Sequence, residues 1–584
     1  MENIFLTAAA TFCGCAAVAS LIPGFNSKVV PRIFWYLSAL FMLADLGLMI
    51  SYLAGSRFDY SYVFNHTDRS LSIIYRISAL WSGQEGSFLL WAAVLALMGF
   101  PVLKAKGEKS GKVFGVYASI SFCIFMMCLV SQPFSKLPAT PVNGLGMATA
   151  LQDPWMTVHP PLVFVAYSAL GILAALTIGI SKVKDTDTIR KIQKWTRISW
   201  VFLGLGIFTG SIWAYHALGW GGYWSWDPIE NAALVPWLIL CGYLHSKEKV
   251  SRVRCILPFA IACFGTFLTR SGILKDKSSH AYTEGNPIVS TIIIAFLLAA
   301  LCWFIISKIR LTGKMKRRYC TSGIMEAIRD RKSLFSRIVY ACSVLIALGT
   351  IAPLIFNLNT PVEYYTAVVV IFALAYSFLL MAQDWEALKR RNLLMMAIST
   401  FIVIGIAVAT GSMNLGWIIL LWICLLPLSL WIACRFKTQS PRYYLLHMGM
   451  VLLIFGAITS SGLGKESLAI VRPTGRTVDI EGSSVQYGDF AKSDVLIVSK
   501  LTGDVIVKCA DAFMMPDGSI AIPYITKPFI LLFWMGGFMI ILSPCIMVFA
   551  RRITNAFQIK KELSHGPKPQ PTIPWHNVST RKIE

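Results

Sequence analysis

The chain has 584 residues, 56% of them hydrophobic, and a mean hydropathy of +0.63. That is more apolar surface than a soluble domain can bury, which excludes a soluble enzyme and indicates a polytopic membrane protein. The net charge of +24 sits mainly between apolar runs, the pattern of membrane topology, so no nucleic-acid partner is expected.

Fifteen apolar runs of bilayer length follow one another, at about 3–23, 32–54, 86–103, 113–132, 160–180, 198–217, 228–245, 255–271, 287–307, 338–357, 363–383, 393–411, 415–434, 443–462 and 528–550. The expected fold class is therefore an all-α polytopic membrane protein of about 15 transmembrane helices with a small extracytoplasmic β-rich subdomain. The first run lacks a basic leader and a small-residue cleavage pattern, so it reads as a retained helix. An odd number of spans puts the termini on opposite sides. Placing the N-terminus outside assigns most of the 53 lysines and arginines to the inner side, including Lys314, Lys316, Arg317 and Arg318 in the longest inner loop, 308–337. The expected location is thus a cytoplasmic membrane, N-out and C-in. Asp45 is a solitary acid within a span.

Fourteen cysteines include no Cys-x-x-Cys and no Cys-x-x-Cys-His, which excludes a thioredoxin-type motif and a c-type haem attachment in this chain. Most lie within the apolar runs, where cysteine packs as a small apolar residue. Residues 463–526 form the one sizeable soluble piece. Alternation through Val495-Leu496-Ile497-Val498, a turn at Thr502-Gly503-Asp504, then Val505-Ile506-Val507 predict a β-hairpin there. The organisation is a helical core over 1–462, the β-rich piece over 463–526, a last helix in 527–550 and a basic tail over 551–584.

Between the sixth and seventh runs lies Gly219-Trp220-Gly221-Gly222-Tyr223-Trp224-Ser225-Trp226-Asp227-Pro228-Ile229-Glu230-Asn231. One or two tryptophans would read as an interfacial belt. Here Trp213, Trp220, Trp224, Trp226 and Trp237 crowd together with glycines that let backbone approach a ligand, so the strip reads as a platform for a flat aromatic molecule. Asp227, Pro228 and Glu230 read as an N-cap, an N1 proline and a capping-box acid of the next helix.

Topology sorts the eight histidines. His159, in Val158-His159-Pro160-Pro161, opens the fifth run at the outer edge, because prolines suit a first helical turn. His280 lies in the outer loop after the eighth run, so the pair flanks the strip in sequence. His245 ends the seventh run, roughly 26 Å of rise from Pro228. His447 enters the fourteenth run from the same inner side. Neutral imidazoles ligate haem iron, and each pair could hold one haem from opposite faces. Each histidine also has a structural reading, as a hydrogen-bonded residue at a helix end.

These segments resemble the CcmF family of cytochrome c haem lyases, within the haem-handling group that carries a tryptophan-rich "WWD" segment. Trp81-Ser82-Gly83-Gln84-Glu85-Gly86-Ser87 is similar to one family element, and Leu151-Gln152-Asp153-Pro154 with His159-Pro160-Pro161 to the next. Trp220 to Asn231 with Pro236-Trp237 is similar to the WWD core, and Leu268-Thr269-Arg270-Ser271-Gly272 leads into His280. The similarity runs over about 60–290, with a weaker match near His447. Gln84, Met147-Ala148-Thr149, His216, Tyr223 and Ser225 depart from the family pattern.

The resemblance implies an enzyme that takes haem from a CcmE-like periplasmic chaperone and joins its vinyl groups to the Cys-x-x-Cys-His thiols of apocytochrome c. The platform for substrate haem would be Trp220, Gly221, Gly222, Tyr223, Trp224, Trp226 and Asp227, with His159 and His280 as its axial ligands. A resident haem b, proposed as reductant, would be held by His245 and His447. CcmH- and CcmI-like thiol- and apocytochrome-handling proteins, quinol and the lipid bilayer are the further implied partners. No side-chain nucleophile is required, since positioning alone suffices. A membrane quinol oxidoreductase with two permanent haems fits the histidine pairs equally well, and a secondary transporter shares the span count.

Overall fold

The structure is a computed structural model that describes residues 2–22, 29–105, 110–180, 186–217, 222–247, 250–275, 278, 280–282, 285–312, 331–356, 360–382, 392–410, 418–419, 421–422, 441–471, 477–481, 483–486 and 495–543. Trp220, Gly221, most of the thirteenth run, most of the loop 308–337 and the tail lie outside the described residues.

Helices follow as α1 (Glu2–Leu21), α2 (Val29–Ala54), the short α3 (Ser61–His66) and α4 (Ile73–Ser78), α5 (Gln84–Leu103), α6 (Ser110–Ser131), α7 (Pro154–Gly179) and α8 (Thr186–Ala217). They continue as α9 (Pro228–His245), α10 (Arg252–Arg270), α11 (Pro287–Thr312), α12 (Arg331–Phe356), α13 (Val362–Ala382), α14 (Asn392–Thr410), α15 (Pro441–Gly462) and α16 (Ile530–Ser543). Nine of these among the described residues are long and apolar enough to cross a membrane. The chain is a multi-pass membrane protein, mostly helical, with a small antiparallel sheet, as its composition requires.

Two boundaries differ from the apolar runs in ways that matter. Helix α8 starts at Thr186 rather than near 198, because its first turns are amphipathic and bury Thr188, Ile192 and Thr196 between charged positions. Helix α7 starts at Pro154, capped by the Asp153 carboxylate accepting from Trp155 N at 2.7 Å. His159 therefore sits in the second turn and does not open the helix. Pro160 and Pro161 lie inside it. A proline in that position cannot donate to the carbonyl four residues back. The Trp81 indole N–H donates to the Met156 carbonyl instead, at 2.9 Å.

Helices α7 and α8 run side by side, α1 packs against α2 and α6, and α9 packs against α10 and α12. Asp45 is fully buried in this core. The strands are β1 (Glu466–Val471), β2 (Thr477–Ile480), β3 (Ser483–Gln486), β4 (Val495–Lys500), β5 (Gly503–Lys508), β6 (Phe513–Met514) and β7 (Ile520–Pro528). All pairings are antiparallel, in the order β1-β7-β5-β4 with β6 on β7 and β2-β3 as a separate hairpin. The predicted β4-β5 hairpin is present, but Lys500 faces Gly503, so its turn is Leu501-Thr502, one residue earlier than expected. Gly503 belongs to the strand at φ +147°, where a Cβ would run into the Lys527 carbonyl.

The sheet rests on the end of α8. Tyr215 packs with Ile506, Ile530 and Phe533, and its hydroxyl donates to Asp504 Oδ2 at 2.8 Å.

Candidate functional site

Helix α9 is set by its cap. Asp227 Oδ1 accepts from Ile229 N at 2.7 Å, and Pro228 occupies the first position, as the sequence predicts. Glu230 behaves differently from a capping-box acid. It reaches past the cap to Ser225, accepting from its backbone N–H at 3.1 Å and its hydroxyl at 3.2 Å. The buried Asn231 donates to the Trp226 carbonyl at 3.0 Å. The first turn of α9 thus holds the strip that precedes it. Trp226 is held at φ +61°, a left-handed conformation costly for a bulky residue, and its ring stacks on Tyr365 at 4.9 Å.

His159 and His280 come together across Trp213 of α8. His159 is nearly parallel to the Trp213 indole at 6.4 Å, and His280 meets the same indole edge-on at 5.4 Å. His159 Nδ1 lies 2.7 Å from the Gly206 carbonyl. A carbonyl only accepts, so Nδ1 carries the proton and Nε2 keeps its lone pair for a metal. Gly210 makes the space, since a Cβ there would lie 2.7 Å from His159 Cε1.

His280 Nδ1 lies 3.7 Å from Asp227 Oδ2, with side-chain exposures of 18% and 5%. Burial opposes charge on both, yet the pair prevails. The Asp227 carboxylate, with Glu230 behind it, holds His280 above the usual imidazole range, and His280 with the cap bonds holds Asp227 below the usual carboxylate range. Asp227 therefore does two jobs, capping α9 and orienting His280. The second was not legible in the sequence.

Trp224 and Trp226 stand at 81° to one another, 6.2 Å apart. With Gly222, Tyr223, Trp200 and Trp237 they line an apolar cavity of about 490 Å³ between α8, α9, α13, α15 and α16. Gly204, Ile207, Phe208 and Ser211 of α8 face this cavity, whereas Gly206 and Gly210 face His159. The helical period puts these two sets on opposite sides of α8. The strip and the histidine pair are neighbouring compartments that meet at Asp227.

His245 is the last residue of α9, and its Nδ1 lies 2.8 Å from the Cys241 carbonyl, again leaving Nε2 as the lone-pair nitrogen. Its ring meets Phe335 at 4.7 Å. Phe335 also packs against the cluster containing Val451 and Ile454, one to two turns beyond His447 on α15. The other expected elements converge elsewhere in the core. Arg270, only 6% exposed, donates to Ser87 Oγ at 2.7 Å and lies over Phe88 at 4.4 Å and Tyr282 at 4.9 Å. His216 is paired with the α7 cap Asp153 at 3.7 Å.

Residues 81–274 match the family model described as cytochrome C assembly protein, which encloses His159, the strip and Arg270. The cytochrome c-type biogenesis protein CycK of Bradyrhizobium diazoefficiens is 31% identical over 65% of this chain and 61% of its own length. The chain thus spans about three fifths of that relative. CcmF of Haemophilus influenzae is 27% identical over 86% of this chain and 90% of its own. A solved structure of cytochrome c heme lyase CcmF shares the fold, with a TM-score of 0.70 at 19% identity over 93% of this chain and 96% of that one. In its motifs, its fold and its relatives, the chain is similar to the CcmF family of cytochrome c-type biogenesis proteins.

Proposed function

We propose that the chain is a cytochrome c haem lyase subunit that receives haem from a CcmE-like chaperone and presents it to apocytochrome c. The observation that carries this reading is the convergence of His159 and His280 on Trp213, with His159 held by the Gly206 carbonyl and His280 beside Asp227. Such a pair suits axial ligation of substrate haem. The sheet and these histidines share the Tyr215 end of α8, and the positive-inside rule makes that side extracytoplasmic. Apocytochrome c with its CcmH- and CcmI-like handling proteins would approach there.

The chemistry asks for placement. A thiol S–H adds across a haem vinyl C=C, the sulfur to one carbon and the hydrogen to the other, so the addition is redox-neutral. The chain's contribution is to hold the macrocycle with its vinyl groups within reach of both thiols. Two histidines and the aromatic walls beside them supply that orientation.

His245 and His447 would hold a resident haem b, and the tautomer fixed on His245 by Cys241 fits an Nε2 ligand. Such a group, with quinol as electron source, would keep the substrate iron ferrous. The expected outcome is that His245→Ala or His447→Ala removes a b-type spectrum from the purified protein. His159→Ala or His280→Ala leaves that spectrum intact and stops holocytochrome c formation in a complementation assay. Normal maturation in both outer variants would refute the lyase reading. Two stoichiometric, non-exchangeable haems would favour a quinol oxidoreductase.

A further inference from the structure

The cavity behind the strip holds one feature that the motifs leave unexplained. Trp224, Trp226, Trp200, Trp237 and Phe533 make its walls aromatic, and its volume falls in the range of sites for small organic ligands. Among its lining residues only Lys527 carries a full charge. Lys527 is near the end of β7, just before α16 begins, so the sheet brings it to a chamber otherwise lined by helices and the strip.

No carboxylate lies within ion-pair distance of Lys527 among the described residues. Its cross-strand neighbour Asp504 accepts instead from Tyr215. Burial pulls the Lys527 ammonium below the usual lysine range, with Glu466 opposing and Lys508 assisting. A partly desolvated cation in the wall of an aromatic chamber favours a flat apolar ligand with a carboxylate on one edge. Haem, with two propionates on one side of a planar macrocycle, has that form.

We propose that this cavity receives haem in transit and that Lys527 anchors one of its propionates, an assignment that rests on the haem-handling reading above. The receiving pocket and the histidine pair then lie on the two faces of α8, and Lys527 lies beyond the segment that the family model matches.

Metal-free protoporphyrin tests this without iron ligation. Its fluorescence anisotropy is titrated with the full chain in phosphatidylcholine nanodiscs, resident haem included, after subtraction of empty discs, and the titration is repeated with the dimethyl ester. The expected result is that wild type prefers the diacid by about tenfold, the worth of one charge-assisted hydrogen bond. Lys527→Ala brings the two ligands to parity, Lys527→Arg keeps the preference, and Trp224→Ala weakens both ligands by a similar factor. An unchanged resident-haem spectrum and an unchanged elution volume in each variant establish that it is folded. Equal binding of diacid and ester by wild type, or a preference that persists in folded Lys527→Ala, overturns the anchor and leaves porphyrin binding standing. Binding of neither ligand above empty discs overturns the haem-handling reading of the cavity as well.

Discussion

His159 and His245 each give Nδ1–H to a backbone carbonyl, Gly206 in one case and Cys241 in the other. The backbone thereby chooses the tautomer, and a lone pair on Nε2 follows without any second side chain. The space for His159 depends on a missing Cβ at Gly210. Gly210→Ala should push the imidazole off Gly206 and lower holocytochrome c formation severalfold while the b-type spectrum and protein abundance stay at wild-type levels. An exposed or distant His159 would leave maturation unchanged in that variant. Trp213 was visible in the sequence only as one of a crowd of tryptophans. Its place between two histidines from α7 and a distant loop could not be read, because no local pattern encodes which aromatic ring two remote imidazoles will share.

At the scale of an element, α9 has a candidate histidine at each end, since its cap faces His280 and its last residue is His245. The cap and the pair can be separated chemically. Asp227→Asn keeps an oxygen for Ile229 N and removes the charge opposite His280, so it loses the pair with the cap in place. Maturation should nevertheless fall. Asp227→Ala loses the cap as well, at a further cost of about 1 kcal/mol. Thermal unfolding in nanodiscs and holocytochrome c yield, measured on both variants, check the separation. Equal losses of stability in the two would mean that the charge opposite His280, and not the cap, accounts for the loss. Proline placement teaches a similar lesson in α7. Asp153-Pro154 and His159-Pro160-Pro161 are both start signals by local chemistry, and the helix uses the earlier one because Trp81 compensates the carbonyl that Pro160 leaves open.

Across the whole molecule, the cavity exists because α15 and α16 approach closely on one wall while aromatic side chains hold the others apart. Gly456 lies against Phe533, and Gly536 against Leu453, with no room for a Cβ at either. Small residues at such crossings let helix backbones meet inside a membrane. Gly456→Leu should force the two helices apart and lower both protein yield and porphyrin binding, whereas Gly405→Leu, whose site has nothing within 4 Å, should be silent. Comparable yields for the two variants, measured by fluorescence size-exclusion, would contradict this packing.

The sequence alone determined that the chain crosses the membrane many times, where its β hairpin lies, and that Asp227 and Pro228 open α9. Those properties rest on period, composition and adjacent residues, all of which are written along the chain. Only the tertiary structure decided that α8 separates His159 from Trp224, that Asp227 turns toward His280, and that Lys527 of the sheet overlooks the tryptophan cavity. Each of these depends on which faces of distant helices and strands meet. That is settled by packing and close backbone approach between residues tens to hundreds of positions apart, for which the local sequence carries no signal.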